Sequence, residues 1–435
     1  MLIMRYFTLK TRLLALSLLA AICAAAQPTP AEFAAHPERS AGIYRSYEYL
    51  PGPAAPVPAG YEPFYISHYG RHGSRYHSSE KAYDRPLGVL LQASEAGKLT
   101  PKGQEVLAKV EALAADAYLR YGDLSPRGTA EHRGIAERMY AAWPEVFSTD
   151  GGRVCRVESR STLVPRCILS MAAFNERLKE LNPAITTTRD ASGRYLDYMA
   201  RGNSLVLARK AVAAVADSLS RARLNPDRLV RSLVTDPRAV AEPLELMQDL
   251  YMLASIVQDV SHLGIEPFYD IFTDEELYSL WECENALRYM QMGPSARFGD
   301  PIVADAGALL RNIVETADEV VRGESDLSAS LRFGHDTCIT PLLALLGVEG
   351  ASTRVESLDD VAAVWNAQTV MPMGTNIQFV FFRNPATGDV RVRVLHNERD
   401  ARLPIPGGPY YPWKELKKHC ESLYFTSDFP APEAD

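Results

Sequence analysis

Short apolar runs rich in β-branched and aromatic residues, each bounded by turn-forming residues, predict strands over residues 64–68, 154–158, 327–333, 376–383 and 390–396. Elsewhere the apolar positions recur at helical spacing. From about residue 195 to 323 that spacing is almost unbroken and predicts helices over 204–219, 239–262, 274–290 and 305–321. Strands alternating with helices argue for an α/β protein, with a three-layer core whose mostly parallel sheet is flanked by helices. Residues 27–190 and 325–435 are assigned to this core, and 191–324 to an all-helical insertion. The crevice between the two is the expected substrate site. The Pro- and Ala-rich stretch 51–60 reads as an extended lead-in to the first strand. Two look-alike segments, Leu99-Thr100-Pro101-Lys102-Gly103 and Leu124-Ser125-Pro126-Arg127-Gly128, each set a capping hydroxyl before a proline and mark helix starts.

A chain of 435 residues that is 47% hydrophobic can bury a large core. Its formal charge of −8 lacks the basic footprint of a nucleic-acid binder, so a polyanionic ligand needs a local basic pocket. Arg189, Arg194, Arg201, Arg209 and Lys210 are basic candidates at and beyond the entry to the insertion, with solvated surface as the plainer reading. At the N-terminus, Arg5, Lys10 and Arg12 precede an apolar run over 13–22, and Ala24-Ala25-Ala26 follows. This pattern predicts a signal peptide over 1–26, since the run is shorter than the ~20 residues a membrane span needs. The expectation is a periplasmic or secreted protein with no stable membrane association after cleavage. Five cysteines remain: Cys155, Cys167, Cys283, Cys338 and Cys420. Their wide spacing does not suit zinc, and a structural role as buried thiols or disulfides is expected.

Chemistry concentrates where predicted strands give way to turns. Arg71-His72-Gly73-Ser74-Arg75 follows the first strand directly and sets a histidine between two guanidinium groups. Arginine donors match phosphate oxygens two at a time, and a neutral imidazole can attack phosphorus to form a covalent intermediate. Alone, such a pentapeptide is more often a solvated turn. A second cluster changes the balance: Gly334-His335-Asp336-Thr337 closes the predicted strand 327–333 and opens a helix. Ligands in open α/β sheets bind beyond the carboxyl ends of strands, so two such junctions can face one crevice. A third arginine, Arg166, follows Pro165 in what reads as the first turn of a helix. Neither a Gly-x-Ser-x-Gly elbow nor a Walker-type loop occurs. His68, His72 and His77 do not suggest a metal site, because the flanking arginines repel a cation.

These motifs resemble those of the histidine acid phosphatases, a branch of the histidine phosphatase superfamily that includes phytases and multiple inositol polyphosphate phosphatases. The likeness runs from about Tyr61 to about Leu423. Gly122-Asp123-Leu124-Ser125-Pro126-Arg127-Gly128 followed by Arg138 looks like the family's Leu-Thr-x-x-Gly segment, and Arg166 with Ser170 matches the spacing of its third phosphate-binding arginine. Gly374-Thr375-Asn376-Ile377-Gln378 and Asn397-Glu398-Arg399 are similar to the inositol polyphosphate phosphatase side. Two positions depart from the pattern: His77 stands where the family has proline, and His-Asp replaces the His-Ala-Glu of many inositol polyphosphate phosphatases.

The resemblance implies a cofactor-free phosphomonoesterase with no metal, acting on small phosphate esters, inositol polyphosphates foremost. His72 is then the nucleophile, Asp336 the proton donor to the leaving alcohol, and Arg71, Arg75, Arg166 and His335 the ligands of the non-bridging oxygens. Tyr76 and His77 are candidates for the pocket rim. Three arginines should depress the His72 pKa below its usual ~6.5, and a bound phosphate should raise that of Asp336 above ~3.9. A broad acid or sugar phosphatase is the alternative within the class. A non-catalytic phosphate-binding protein is the alternative outside it, disfavoured because such a protein has no use for a proton donor.

Overall fold

The computed structural model describes residues 28–52, 55–200 and 202–425. The predicted signal peptide lies outside them, as does Arg201. Each predicted strand forms: β1 (Glu62–Arg71), β2 (Arg156–Ser161), β4 (Ala329–Gly334), β5 (Asn376–Arg383) and β6 (Val390–His396). A polar strand, β3 (Thr186–Ala191), and two short ones, β7 (Arg399–Asp400) and β8 (Tyr410–Pro412), complete one sheet ordered β3-β2-β4-β1-β5-β6-β7, with β8 also on β6. The parallel pairing expected of the core is confined to β3-β2-β4-β1. Beyond β1 every ladder is antiparallel, because β5 and β6 form a hairpin that adds to the edge β1 would otherwise expose. β1 is therefore the seam between two halves of a mixed sheet.

Successive residues face opposite sides of that sheet. Tyr65, Tyr69, Phe379, Phe381 and Val392 belong to one core, and Ile66, Leu331, Phe333, Val380 and Phe382 to the other. Among the described residues, the helices of ten or more residues are α1 (Lys81–Glu95), α2 (Pro101–Ala117), α3 (Pro126–Ala142), α4 (Pro165–Leu181), α5 (Asn203–Arg223), α6 (Pro243–Ile256), α7 (Asp274–Met292), α8 (Gly307–Val321), α9 (Asp336–Leu345) and α10 (Trp413–Phe425). Ile135 and Met139 of α3 and Phe174 and Leu178 of α4 cover the second face, while α8, α9 and α10 cover the first.

Helices start where capping chemistry allows. Thr100 Oγ1 accepts from Gly103 N–H at 3.0 Å and Ser125 Oγ from Gly128 N–H at 3.2 Å, each before a proline at the first helical position. Helices α5, α6 and α7 share an apolar core with α1, α2 and the N-terminal segment, through residues such as Phe33, Leu90, Val110, Leu250 and Trp281. Of the stretch 191–324, α8 packs on the sheet side against α9, α10 and β1. The five cysteines are buried free thiols, and no helix among the described residues is long and apolar enough to cross a membrane.

Candidate active site

The ladder of β1 on β4 pairs Arg71 with Gly334, so the next residues, His72 and His335, leave adjacent parallel strands at one level. Their ring centroids are 5.7 Å apart. The backbone at His72 is clamped from both sides: its N–H donates to Gly334 O at 2.9 Å and its carbonyl accepts from Gly374 N–H at 3.0 Å. His72 is buried, with 2% of its surface exposed. Its Nδ1 lies 2.9 Å from Gly73 O. A carbonyl only accepts, so Nδ1 carries the hydrogen and Nε2 keeps a free lone pair. Burial, then Arg71, Arg166 and Arg75, and then His335, hold the imidazole well below its ordinary pKa and keep it neutral.

Arg71 is wholly buried. Its Nη1 donates to Ile43 O at 2.8 Å and Met371 O at 2.7 Å, and its Nη2 lies 2.9 Å from Asp336 Oδ2. That ion pair is close but is not aligned as a hydrogen bond, and Arg71 Nε and Nη2 stay without hydrogen-bond acceptors. Arg75 Nη1 donates to Tyr76 O at 2.7 Å, while its Nε has no acceptor. Arg166 is the second residue of α4, as the sequence predicts, and its Nε is likewise free of acceptors. Ser170, one helical turn on, accepts from Gly73 N–H at 3.2 Å. Three guanidinium groups with free donors converging beside one imidazole have the chemistry to hold an anion.

His335 occupies the position before α9, its Nε2 3.3 Å from Thr162 Oγ1, and burial followed by Arg166 lowers its pKa to about 4. Asp336 opens the helix. Burial pushes its carboxyl up, but Arg71, His335, Arg75 and Arg288 together outweigh this and bring it down to about 2. Asp336 is thus an anion paired with Arg71 until another negative charge competes for that guanidinium.

Tyr76 and His77 do not line the rim. Tyr76 is 1% exposed, its hydroxyl bonded to Asp116 at 2.5 Å, and His77 is 3% exposed, its Nε2 3.0 Å from Met252 O and its ring edge-on to Tyr44. Aromatic bodies with satisfied polar tips pack better between the loop and the helical segment than at a wet edge. Arg189, Arg194, Arg209 and Lys210 are exposed. Arg138 and Glu398 pair with each other, at 2.7 and 2.8 Å, and tie α3 to the β6–β7 turn.

The structure adds residues that no motif signals. Tyr44 lies under Arg75, whose guanidinium carbon is 5.4 Å from the ring centre. Arg288 of α7, held by Glu284 at 2.6 Å and Gln291 at 2.9 Å, adds its charge to the field at Asp336 and His77. A lone arginine on an amphipathic helix gives no signal in sequence. Glu131 and Asp259, both buried, meet Ser74 of the loop that follows β1.

A strand-end histidine among three arginines, with a second histidine and a carboxyl alongside, offers the donors and the lone pair that a phosphate ester requires. The chain belongs to the Histidine phosphatase superfamily (branch 2), whose sequence model matches residues 70–397, and it is a phosphomonoesterase of that class. Among solved structures, it is similar to the Bifidobacterium longum multiple inositol polyphosphate phosphatase in complex with phosphate, at 19% identity and TM-score 0.74, over 89% of this chain and 98% of that one. The same protein in complex with inositol hexasulfate gives 19% identity and TM-score 0.68, over 87% and 97% of the two chains. The phytase from D. castellii matches at 16% identity and TM-score 0.65, over 90% and 86%. At these identities the likeness concerns the fold. No curated protein sequence matches the chain.

Proposed function

We propose that this protein is exported and removes phosphate from inositol polyphosphates such as phytate, through a phosphohistidine on His72 with Asp336 as proton donor. The observation that carries this reading is the meeting of His72, its Nδ1 turned to Gly73 O and its Nε2 left free, with an Arg71–Asp336 pair across two hydrogen-bonded strands. The Nε2 lone pair attacks phosphorus as the ester P–O bond breaks, and the leaving oxygen takes the Asp336 proton. Water then displaces the histidine, giving inorganic phosphate and restoring Asp336 as the acid. Arg71, Arg75, Arg166 and His335 bind the non-bridging oxygens, where most of the charge of the transition state resides. Substrate phosphate drawn onto Arg71 Nε and Nη2, which have no hydrogen-bond acceptor, competes with Asp336 for the guanidinium charge, so the carboxyl of Asp336 rises and holds a proton.

The substrate class draws support from the inositol hexasulfate complex of the B. longum neighbour and from the positive field that Arg288 adds from the helical segment. The segment 191–324 acts in this reading as a cap over the crevice of the core formed by 27–190 and 325–435. Export rests on the basic and apolar pattern of residues 5–26, and recovery of a protein beginning at Gln27 outside the cytoplasm tests it. The deciding experiment for function is phosphate release from inositol hexakisphosphate and from simple phosphomonoesters, compared from acidic to neutral pH. Faster release from simple esters would replace the substrate class by that of a broad acid or sugar phosphatase.

A further inference from the structure

Ser74, between the nucleophile and Arg75, is fully buried and meets two carboxyl groups at once. Its Oγ lies 2.7 Å from Glu131 Oε1 and 2.6 Å from Asp259 Oδ1. Ser46 Oγ lies 2.8 Å from the same Asp259 oxygen and 3.1 Å from Ser74 Oγ. A hydroxyl has a single hydrogen to give. With both carboxyls ionised, Ser46 could serve Asp259, but Ser74 could serve only one of its two acids. The other oxygen pair would then stand at hydrogen-bond distance with no hydrogen between its members. One added proton removes the conflict.

The surroundings decide which acid holds it. Glu131 is built for a negative charge: Oε2 accepts from Ser74 N–H at 2.7 Å, Oε1 from Tyr47 N–H at 2.8 Å, and Arg127 Nε stands 3.6 Å away. Asp259 is wholly buried, has no ion pair among the described residues, and its Oδ2 has no hydrogen-bond partner. A bare oxygen on a buried anion is costly, whereas on a neutral acid the cost is small.

We propose that Asp259 is a neutral carboxylic acid that donates to Ser74 Oγ while Ser74 donates to the Glu131 carboxylate, and that this chain positions the nucleophile loop and sets the high-pH limit of its activity. The catalytic consequence rests on the function proposed above. Burial and then the Glu131 charge push the Asp259 carboxyl well above the usual carboxylate range. Facing it are Arg71 and Arg75 from the loop, Glu131 with Arg127 from α3, Tyr83 from α1, and Tyr269. His262 lies on its own turn, Val257–Leu263, 3.3 Å from Tyr76 Oη. Because the folded pKa is raised, the stabilisation is full at low pH and declines as pH rises through the window above ~3.9. Once ionised, two anions flank one hydroxyl, and Arg75 is drawn toward Asp259 and away from the substrate. Asp259 comes from the helical segment and Glu131 from α3, so one proton joins the two parts at the loop.

The amide of Asp259→Asn can donate to Ser74 and cannot ionise. Its turnover at the optimum is expected to fall no more than about threefold, with the high-pH limb moved up by about one pH unit or more, whereas Asp259→Ala loses more than about tenfold at every pH. An unmoved limb in Asp259→Asn, or a loss equal to that of Asp259→Ala, overturns the proposal. Infrared difference spectra of the unaltered protein against Asp259→Asn at neutral pH supply a readout of the fold alone. The carbonyl stretch of a neutral acid, sensitive to D2O, is expected, and its absence overturns the assignment of the proton even if the chain releases phosphate from no ester.

Discussion

Arg71 Nη2 stands 2.9 Å from Asp336 Oδ2, joining the residue beside the nucleophile to the residue that would protonate the leaving group. The pair keeps Asp336 ionised until the guanidinium finds a second anion. In the proposed mechanism, substrate binding and arming of the acid are then one event. Replacing Asp336 with Asn removes the donor and keeps the shape, so kcat should fall by about 10²- to 10⁴-fold on alkyl phosphates. On an aryl phosphate whose leaving group needs no proton the loss should be much smaller. Steady-state kinetics on both esters check this, and equal losses would contradict the role.

His72→Ala should abolish turnover and any phosphoenzyme together. In the unaltered protein, labelled substrate quenched in base should leave phosphate on His72, whose Nε2 keeps a free lone pair beside the arginines. Label on another residue would count against the covalent step.

Three groups shape the pH-rate profile: His72 and Asp336 in the site, and Asp259 behind the loop, whose ionisation sets the alkaline end. His72, held well below its ordinary value by burial and three arginines, stays neutral into mildly acidic solution. Asp336, at about 2 beside Arg71, gains its proton only in the substrate complex. A bell-shaped kcat with its maximum below neutrality is expected, and a maximum near pH ~9 would be inconsistent with these roles.

Acid should unfold the protein before it protonates the nucleophile of every molecule. Burial holds His68 at about 3 and His77, His132 and His396 at about 4. For a histidine whose folded pKa is lowered, stability is full above ~6.5 and is lost as pH falls toward the folded value. Each of the three at about 4 then withdraws on the order of 2 kcal/mol by pH ~5. Thermal midpoints measured from pH 7 down to 4 should drop steeply, and His132→Asn should flatten the slope.

Gly73 packs backbone to backbone with α3: a Cβ there would stand 2.5 Å from Gly128 O and 2.6 Å from Gly128 Cα. Neither neighbour can turn aside. Gly73→Ala is expected to cost about 1–3 kcal/mol in stability and, by displacing His72, more than ~100-fold in turnover. Gly88→Ala on α1, where nothing lies within 4 Å, should be neutral or stabilising by about 0.5–1 kcal/mol. Denaturant unfolding and kcat on both variants test the contrast.

The strands that carry the site were legible because buried strands concentrate β-branched and aromatic residues, as in Ile377-Gln378-Phe379-Val380-Phe381-Phe382. β3 was not, since Thr186-Thr187-Thr188-Arg189-Asp190 is a polar edge strand without an apolar face to betray it. Arg71, His72, Arg75, Arg166, His335 and Asp336 sit at strand-to-helix junctions that local sequence marks, and the structure brings them together. Tyr76 and His77 were misplaced because adjacency in sequence does not tell which way a side chain turns after a bend. Tyr44, Glu131, Asp259 and Arg288 reach the loop from helices whose periodicity reports burial, not chemistry.

Because β1 is the seam of the sheet, the geometry around His72 depends on carbonyl and amide groups supplied at Gly334 and Gly374. A ribosome that has delivered only the first two-thirds of the chain has made His72 and all three arginines, yet neither His335 and Asp336 nor the two glycines whose backbone clamps His72. Such pairings, distant in sequence, form late and slowly. An unfinished chain is therefore harmless to the phosphate esters around it, and competence arrives only when the final third joins the sheet.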